Sequence, residues 1–205
     1  MVLRGVPSID EDTAPTPRRT LVSSRSFGVK IYEKDALQKA VAAFSSRAAE
    51  KLRKEGLFAS GIAVHIRTSR HQVPFVSETV QQIFSTPTND TEKFIKVAIS
   101  GIETMFKADT PYAKAGIMLF DLTSTTNMQG SLLTLSNEKD EKKRTELMKV
   151  MDKINTIHGR HKIHYAAEGL GEQLWHMNQN HRSPRRTTDW KELATVSCED
   201  KKKVS

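Results

Sequence analysis

Residues 35–55, DALQKAVAAFSSRAAEKLRKE, put Leu37, Val41, Phe44, Ala48 and Leu52 on one stripe at helical spacing. A second stripe, Ile95, Ile99, Ile102 and Phe106, recurs over 90–107. Between the two lie stretches of a different period. In ASGIAVHIRTS, Ile62, Val64 and Ile66 point one way and Ala63, His65 and Arg67 the other, as in a strand with one buried and one basic face. FVSETVQQIFS reads as a second, weaker strand ended by TPTND. A strand over 19–27 precedes the first helix, and YAKAGIMLFDL, about 112–122, is a hydrophobic strand after the second. The order β-α-β-β-α-β limits the fold to few choices. It predicts an α+β split βαββαβ unit, a four-stranded antiparallel sheet with two helices on one face, plus a small helical and irregular C-terminal region.

The helix ends carry their own signals. Lys51, Arg53 and Lys54 gather in the last turn of the first helix, where cations oppose the negative dipole end, and Gly56 suits the stop. Asn89 with Glu92 three residues on predicts the cap of the second helix. A third helix is expected over 138–158, with Leu147, Met151 and Ile154 inward and Gly159 at its end. The following residues predict a strand and a turn, then basic irregular chain. The expected divisions are an extended leader at 1–17, a folded unit at 18–122, a linker at 123–137, a small C-terminal region at 138–197 and a charged tail at 198–205.

With 205 residues the chain is one domain, or one plus a small appendage. Its 32 Lys and Arg exceed 24 Asp and Glu, for a net charge of +8, which favours a polyanionic partner. Cys198 is the single cysteine, so no intramolecular disulfide forms. No apolar run approaches the roughly 18–20 residues a membrane span needs, and MVLRGVPSID lacks a signal-peptide core. A cytosolic protein with no membrane partner is the expectation.

Familiar catalytic patterns are missing. The sequence contains no phosphate-binding glycine loop, dinucleotide fingerprint or H-E-x-x-H. Asp121 ends a strand alone, where a two-metal site needs paired carboxylates. His158, His161 and His164 are three apart, but Gly159 breaks the helix, and in a strand they share no face. Solvated or packed histidines are the reading, with no metal and no catalytic residue.

One collinear set of segments carries more. LRGVP, RRTLVSSRSFG, AVAAFSSRAAEKLRKEG, PTND, YAKAGIMLFDL, GR and SPRRTTDW resemble, in order, the C-terminal part of UmuC-type proteins, the catalytic subunits of bacterial DNA polymerase V in the Y-family of translesion polymerases. The resemblance implies a little finger domain over 18–122 that grips template–primer DNA through its sheet in the SOS response to DNA damage. LRGVP then resembles the end of the thumb, and the palm, with its carboxylates and Mg2+, is expected upstream of residue 1.

The implied DNA contacts are Arg19, Ser23, Ser24, Arg25, Ser26, Gly28, Lys30, His65, Arg67, Ser69 and Arg70. Hydroxyls, backbone N–H groups and guanidinium groups bind phosphate oxygens without reading sequence. The plain alternative is that Arg25 is an exposed strand residue and the serines form turns. QGSLL resembles the family's sliding-clamp peptide, with Gln129, Ser131, Leu132 and Leu133 as contacts. It departs from the pattern at Gly130 and at Leu133, where an aromatic fills the clamp groove better. Its alternative is a leucine pair packed on the folded unit. Accessory polymerase subunits and a recombinase filament are further partners the resemblance suggests. The rival reading is a stand-alone regulator that competes for clamp, DNA or filament. An RNA-binding module fits less well, because GIAVHIRTS lacks exposed aromatics to stack bases.

Overall fold

The computed structural model describes residues 18–124, 138–171, 173–176 and 182–193. The element order is β1 (Thr20–Ile31), α1 (Lys34–Lys54), β2 (Leu57–Thr68), β3 (Ser77–Thr88), α2 (Thr91–Met105), β4 (Tyr112–Ser124) and α3 (Glu138–His158). All neighbouring strands are antiparallel, in the order β1-β4-β2-β3. Both α1 and α2 pack on one face of this sheet, as the sequence pattern predicts.

Strand register sorts the side chains. Ile62 and Leu21 both pair with Leu119, Val64 and Ser23 with Ile117, and Ile66 and Arg25 with Ala115. Cross-strand partners share a face, so these positions face the helices. There Ile62, Ile66, Ile117 and Leu119 meet Leu37, Phe44, Leu52, Phe94 and Ile102, all essentially inaccessible. Gly56 closes α1 with φ 65°, a left-handed turn that glycine adopts without a Cβ clash.

Several boundaries and faces differ from the sequence expectations. β1 runs to Ile31 and slips its register with β4 between Ser26 and Ile31. β3 continues through Pro87 to Thr88, because it is an edge strand and loses no ladder bond to proline. The cap of α2 is Asp90, not Asn89: its carboxylate accepts from the Glu92 N–H at 2.9 Å. The buried stripe of α2 is Phe94, Ile95, Ala98, Gly101, Ile102 and Met105, with Ile99 only half-buried. On α3, Met148 is buried and Leu147 is 54% exposed, against expectation, while Met151 and Ile154 are half-buried. After α3 the described residues contain short 3-10 turns at Ala166–Glu168 and Trp190–Glu192, and no strand.

α1 is covered on two sides, which accounts for its buried alanines, Ala40, Ala42, Ala43, Ala48 and Ala49. The sheet and α2 cover one side, and the segment after α3 covers another. Arg53, near the end of α1, joins these parts. Its Nε and Nη2 donate to Asp152 on α3 at 2.6 and 2.8 Å. Its Nη1 donates to the Asn89 carbonyl at 2.9 Å and to Thr91 Oγ1 at 2.8 Å. Beside it, Arg144 of α3 pairs with Asp90 at 2.6 Å and with Glu92 at 3.0 Å. Tyr165 lies beneath α3 with its hydroxyl on Met148 Sδ at 3.4 Å, and burial pushes its phenol up to about 12.

The Arg53 side chain is 12% exposed, so removing it strands Asp152 and two acceptors at α2. Arg53→Ala is expected to cost roughly 2–4 kcal/mol in urea unfolding. Arg53→Lys recovers little, because an ammonium cannot make the bidentate pair. A loss within the error of wild type shows that α3 is not held through this residue.

Candidate nucleic-acid interface

The positions between those that face the helices form the open side of the sheet. They fall into four rows across β1, β4, β2 and β3. The rows are Thr20–Phe120–Gly61–Ile83, Val22–Met118–Ala63–Gln81, Ser24–Gly116–His65–Thr79 and Ser26–Lys114–Arg67–Ser77. No acidic residue occupies any of these positions. Apart from Thr20 and Gln81 the first two rows are apolar, with Val22 52% and Ile83 75% exposed. The last two carry hydroxyls, an imidazole, an ammonium and a guanidinium. The open face therefore grades from apolar to cationic along the strands.

The cationic end continues past the sheet. The β2–β3 loop leaves from Thr68, beside Arg67, and brings Ser69 and Arg70 to that end. Lys30, at the end of β1, donates to Gln72 of the same loop at 3.0 Å. The Ser69 hydroxyl accepts from the His71 N–H at 3.4 Å, and Arg70 is exposed. Burial first, then Lys114 and Arg67, lower the His65 pKa below its ordinary 6.5. At neutral pH the imidazole is therefore uncharged, a hydrogen-bonding group between two cations. An anion laid across this row would raise its pKa again.

The structure divides the residues expected on one surface. Ser24, Ser26, His65 and Arg67 share the open face, while Ser69 and Arg70 adjoin it. Ser23 and Arg25 pair with Ile117 and Ala115, so they stand on the helix side of the edge strand β1. The Gly28 N–H donates to the His176 carbonyl at 3.2 Å, within the stretch where β1 leaves β4. Arg19 precedes the opposite, apolar end of β1. Gln129, Ser131, Leu132 and Leu133 lie outside the described residues. Sequence reading missed Lys114 and Gly116. The signal was present as a polar and a small residue at period two within YAKAGIMLFDL, hidden by the apolar length of that strand.

Two glycines shape the face. The Phe120 ring lies across Gly61, where a Cβ would overlap it. A Cβ on Gly116 would overlap Ser24 Cβ and come within 2.7 Å of both the Ser24 Cα and His65 Cε1. Ser24 cannot yield without moving β1. Gly116→Ala is therefore expected to destabilise by about 1–3 kcal/mol in thermal or urea unfolding, as overpacking does. Unchanged stability would mean that β1 and β4 are looser than this register implies.

Among the described residues no three His, Cys, Asp or Glu side chains could hold a metal ion. His161 faces Glu168 at 3.6 Å, and His164 Nδ1 lies 3.2 Å from the His161 carbonyl. No described helix is long and apolar enough to cross a membrane.

Comparison with known proteins adds to this geometry. Residues 18–132 match the impB/mucB/samB family C-terminal domain, and residues 145–196 match a domain of unknown function, DUF4113. The chain is 37% identical to protein SamB of Salmonella typhimurium over 93% of its own length and 45% of that protein. It is 33% identical to protein ImpB of Salmonella typhimurium over 93% of its length and 45% of ImpB. Protein UmuC of the same species is 30% identical over 95% of this chain and 46% of UmuC. The chain thus spans just under half the length of these curated relatives. With its four-stranded sheet and two helices coinciding with the matched region, the chain belongs to the impB/mucB/samB family and carries that family's C-terminal domain.

Proposed function

We propose that this chain is the DNA-gripping, non-catalytic part of an error-prone translesion polymerase of the UmuC type. The observation that carries this reading is the open sheet face, with Lys114, Arg67 and His65 in adjacent rows and no acid in its four rows. A duplex laid on it offers phosphates to the cationic rows and to the Ser24 and Ser26 hydroxyls. The apolar rows then rest against sugars and groove edges. Contacts of this kind hold any sequence alike, which suits a module that follows a damaged template. On this reading nucleotidyl transfer and its magnesium belong to a palm domain in the part of the relatives that this chain does not match. The chain alone is then a holder of DNA in the bacterial cytoplasm.

QGSLL serves in the same reading as the tether to the sliding clamp. Gln129 hydrogen-bonds at the mouth of the clamp groove, Ser131 follows, and Leu132 and Leu133 fill it. Burying two leucines is worth roughly 3–6 kcal/mol before linker ordering is subtracted. Without an aromatic, the affinity is micromolar or weaker.

DNA binding by the full chain is expected to fall steeply with salt. Arg67→Gln and Lys114→Gln each weaken binding to all duplex sequences alike and reduce the slope of log K against log salt by about one. Two variants that bind like wild type would exclude the open face. For the clamp, a peptide of residues 126–136 is titrated against the bacterial sliding clamp. It binds in the micromolar range, and Leu133→Phe tightens it. No binding at millimolar peptide, or no response to Leu133→Phe, makes QGSLL ordinary linker.

A further inference from the structure

On the helix side of β1 a second basic site lies against α1. A cleft of about 260 Å3 opens between α1 and the segment after α3, and Arg47, His161, His164, Trp175 and His176 are among the residues that line it. Arg47 is half-buried, and its guanidinium carbon lies 5.7 Å from the Trp175 ring centre. Among the described residues its N–H groups have no acceptor. The Trp175 side chain is also buried, at 3% exposure, packed edge-on against Phe44 at 5.3 Å. Its indole N–H has no acceptor either.

The charges here are unbalanced. Burial and then Arg25 lower the Arg47 pKa, and Arg160 adds to the effect, so Arg47 feels two further guanidinium groups. Two acids oppose them, Glu168, which lines the cleft itself, and Glu50, and both already have partners. Glu168 accepts from Ser46 at 2.7 Å and from the Tyr165 N–H at 3.3 Å, and it faces His161. Glu50 pairs with Lys54 at 3.1 Å. A partly buried cation and a buried N–H donor that have no acceptor among the described residues are costly unless one arrives. What Arg47 and the Trp175 N–H lack among the described residues is a compact anionic acceptor of their own, since the Glu168 carboxylate of the cleft is taken by Ser46, Tyr165 and His161.

We propose that this cleft is an oxyanion site that receives a backbone phosphate of a single nucleic-acid strand. The choice of a strand rests on the DNA reading of the sheet. β1 is the edge strand, with Ser24 and Ser26 on the open face and Arg25 between them on the other. A single strand leaving the open face over this edge meets Arg25 first, and Arg47 and Arg160 next. Duplex is held on the sheet, and the unpaired template continues around β1 to the far side.

The test uses the full chain with Trp190→Phe, which leaves Trp175 as the only indole, since the chain has two tryptophans. Its N–H resonance is followed by NMR. Inorganic phosphate at millimolar concentration is expected to move this resonance saturably at constant ionic strength, and a short oligothymidylate to move it in the same direction at lower concentration. Arg47→Gln weakens both by about tenfold, the cost of losing a charge-assisted hydrogen bond. Arg160→Gln, at an exposed residue, weakens both as well and keeps the test sound if Arg47→Gln does not fold. Arg67→Gln, on the other face, leaves the phosphate titration unchanged, which separates this site from the sheet. A resonance that ignores phosphate, or responds equally to chloride, overturns the site. A response to phosphate or to an acidic peptide but not to the oligonucleotide overturns the strand.

Discussion

β4 lies between β1 and β2, and its register against both decides what each face of the sheet can do. Ala115, Ile117 and Leu119 lie under the helices, and Lys114, Gly116, Met118 and Phe120 stand on the open side. A slip of one residue would bury Lys114 and expose the core leucine and isoleucine, so the hydrophobic cost of the wrong register is large. The same register stacks Lys114 beside Arg67 and Gly116 beside His65. Cationic rows on one side thus follow from close packing on the other. Gly116 adds a constraint of its own, since only the absence of a Cβ lets Ser24 and His65 close over the strand.

The described residues after β4 are tied to the helix layer, not to the open face. Arg53 and Arg144 hold α3 to the start of α2, and Ser46 with Glu168 holds the following turn to α1. The Gly28–His176 hydrogen bond then reaches the bulged part of β1. This covers α1 on its second side and leaves the sheet accessible. It also brings Arg47 and Trp175 together, which neither the sheet and helices nor the C-terminal segment would do alone.

The strand and helix order was legible in the sequence because periods of 2 and 3.6 are local signals. The spans of α1 and α3 and the basic face of β2 emerge from them almost unaltered. What local pattern cannot carry is the partner of a strand. β1 reads as one surface rich in Ser and Arg, yet pairing with β4 turns Ser24 and Ser26 one way and Ser23 and Arg25 the other. Gly28 looked free to approach a ligand, but a carbonyl far along the chain takes its N–H. Met148, not Leu147, is the buried residue of α3, on the same face as Asp152, which Arg53 holds. Long-range ion pairs of this kind leave no periodic trace.

The central claim is that the open face, not the helix layer, receives duplex DNA. A map of backbone amide shifts as a short blunt duplex is titrated into the isotope-labelled chain tests it directly. The account predicts that the largest changes fall on Ser24, Ser26, His65, Arg67, Lys114 and Gly116, with the amides of α2 unmoved. Shifts concentrated on α2, with a silent open face, would contradict it.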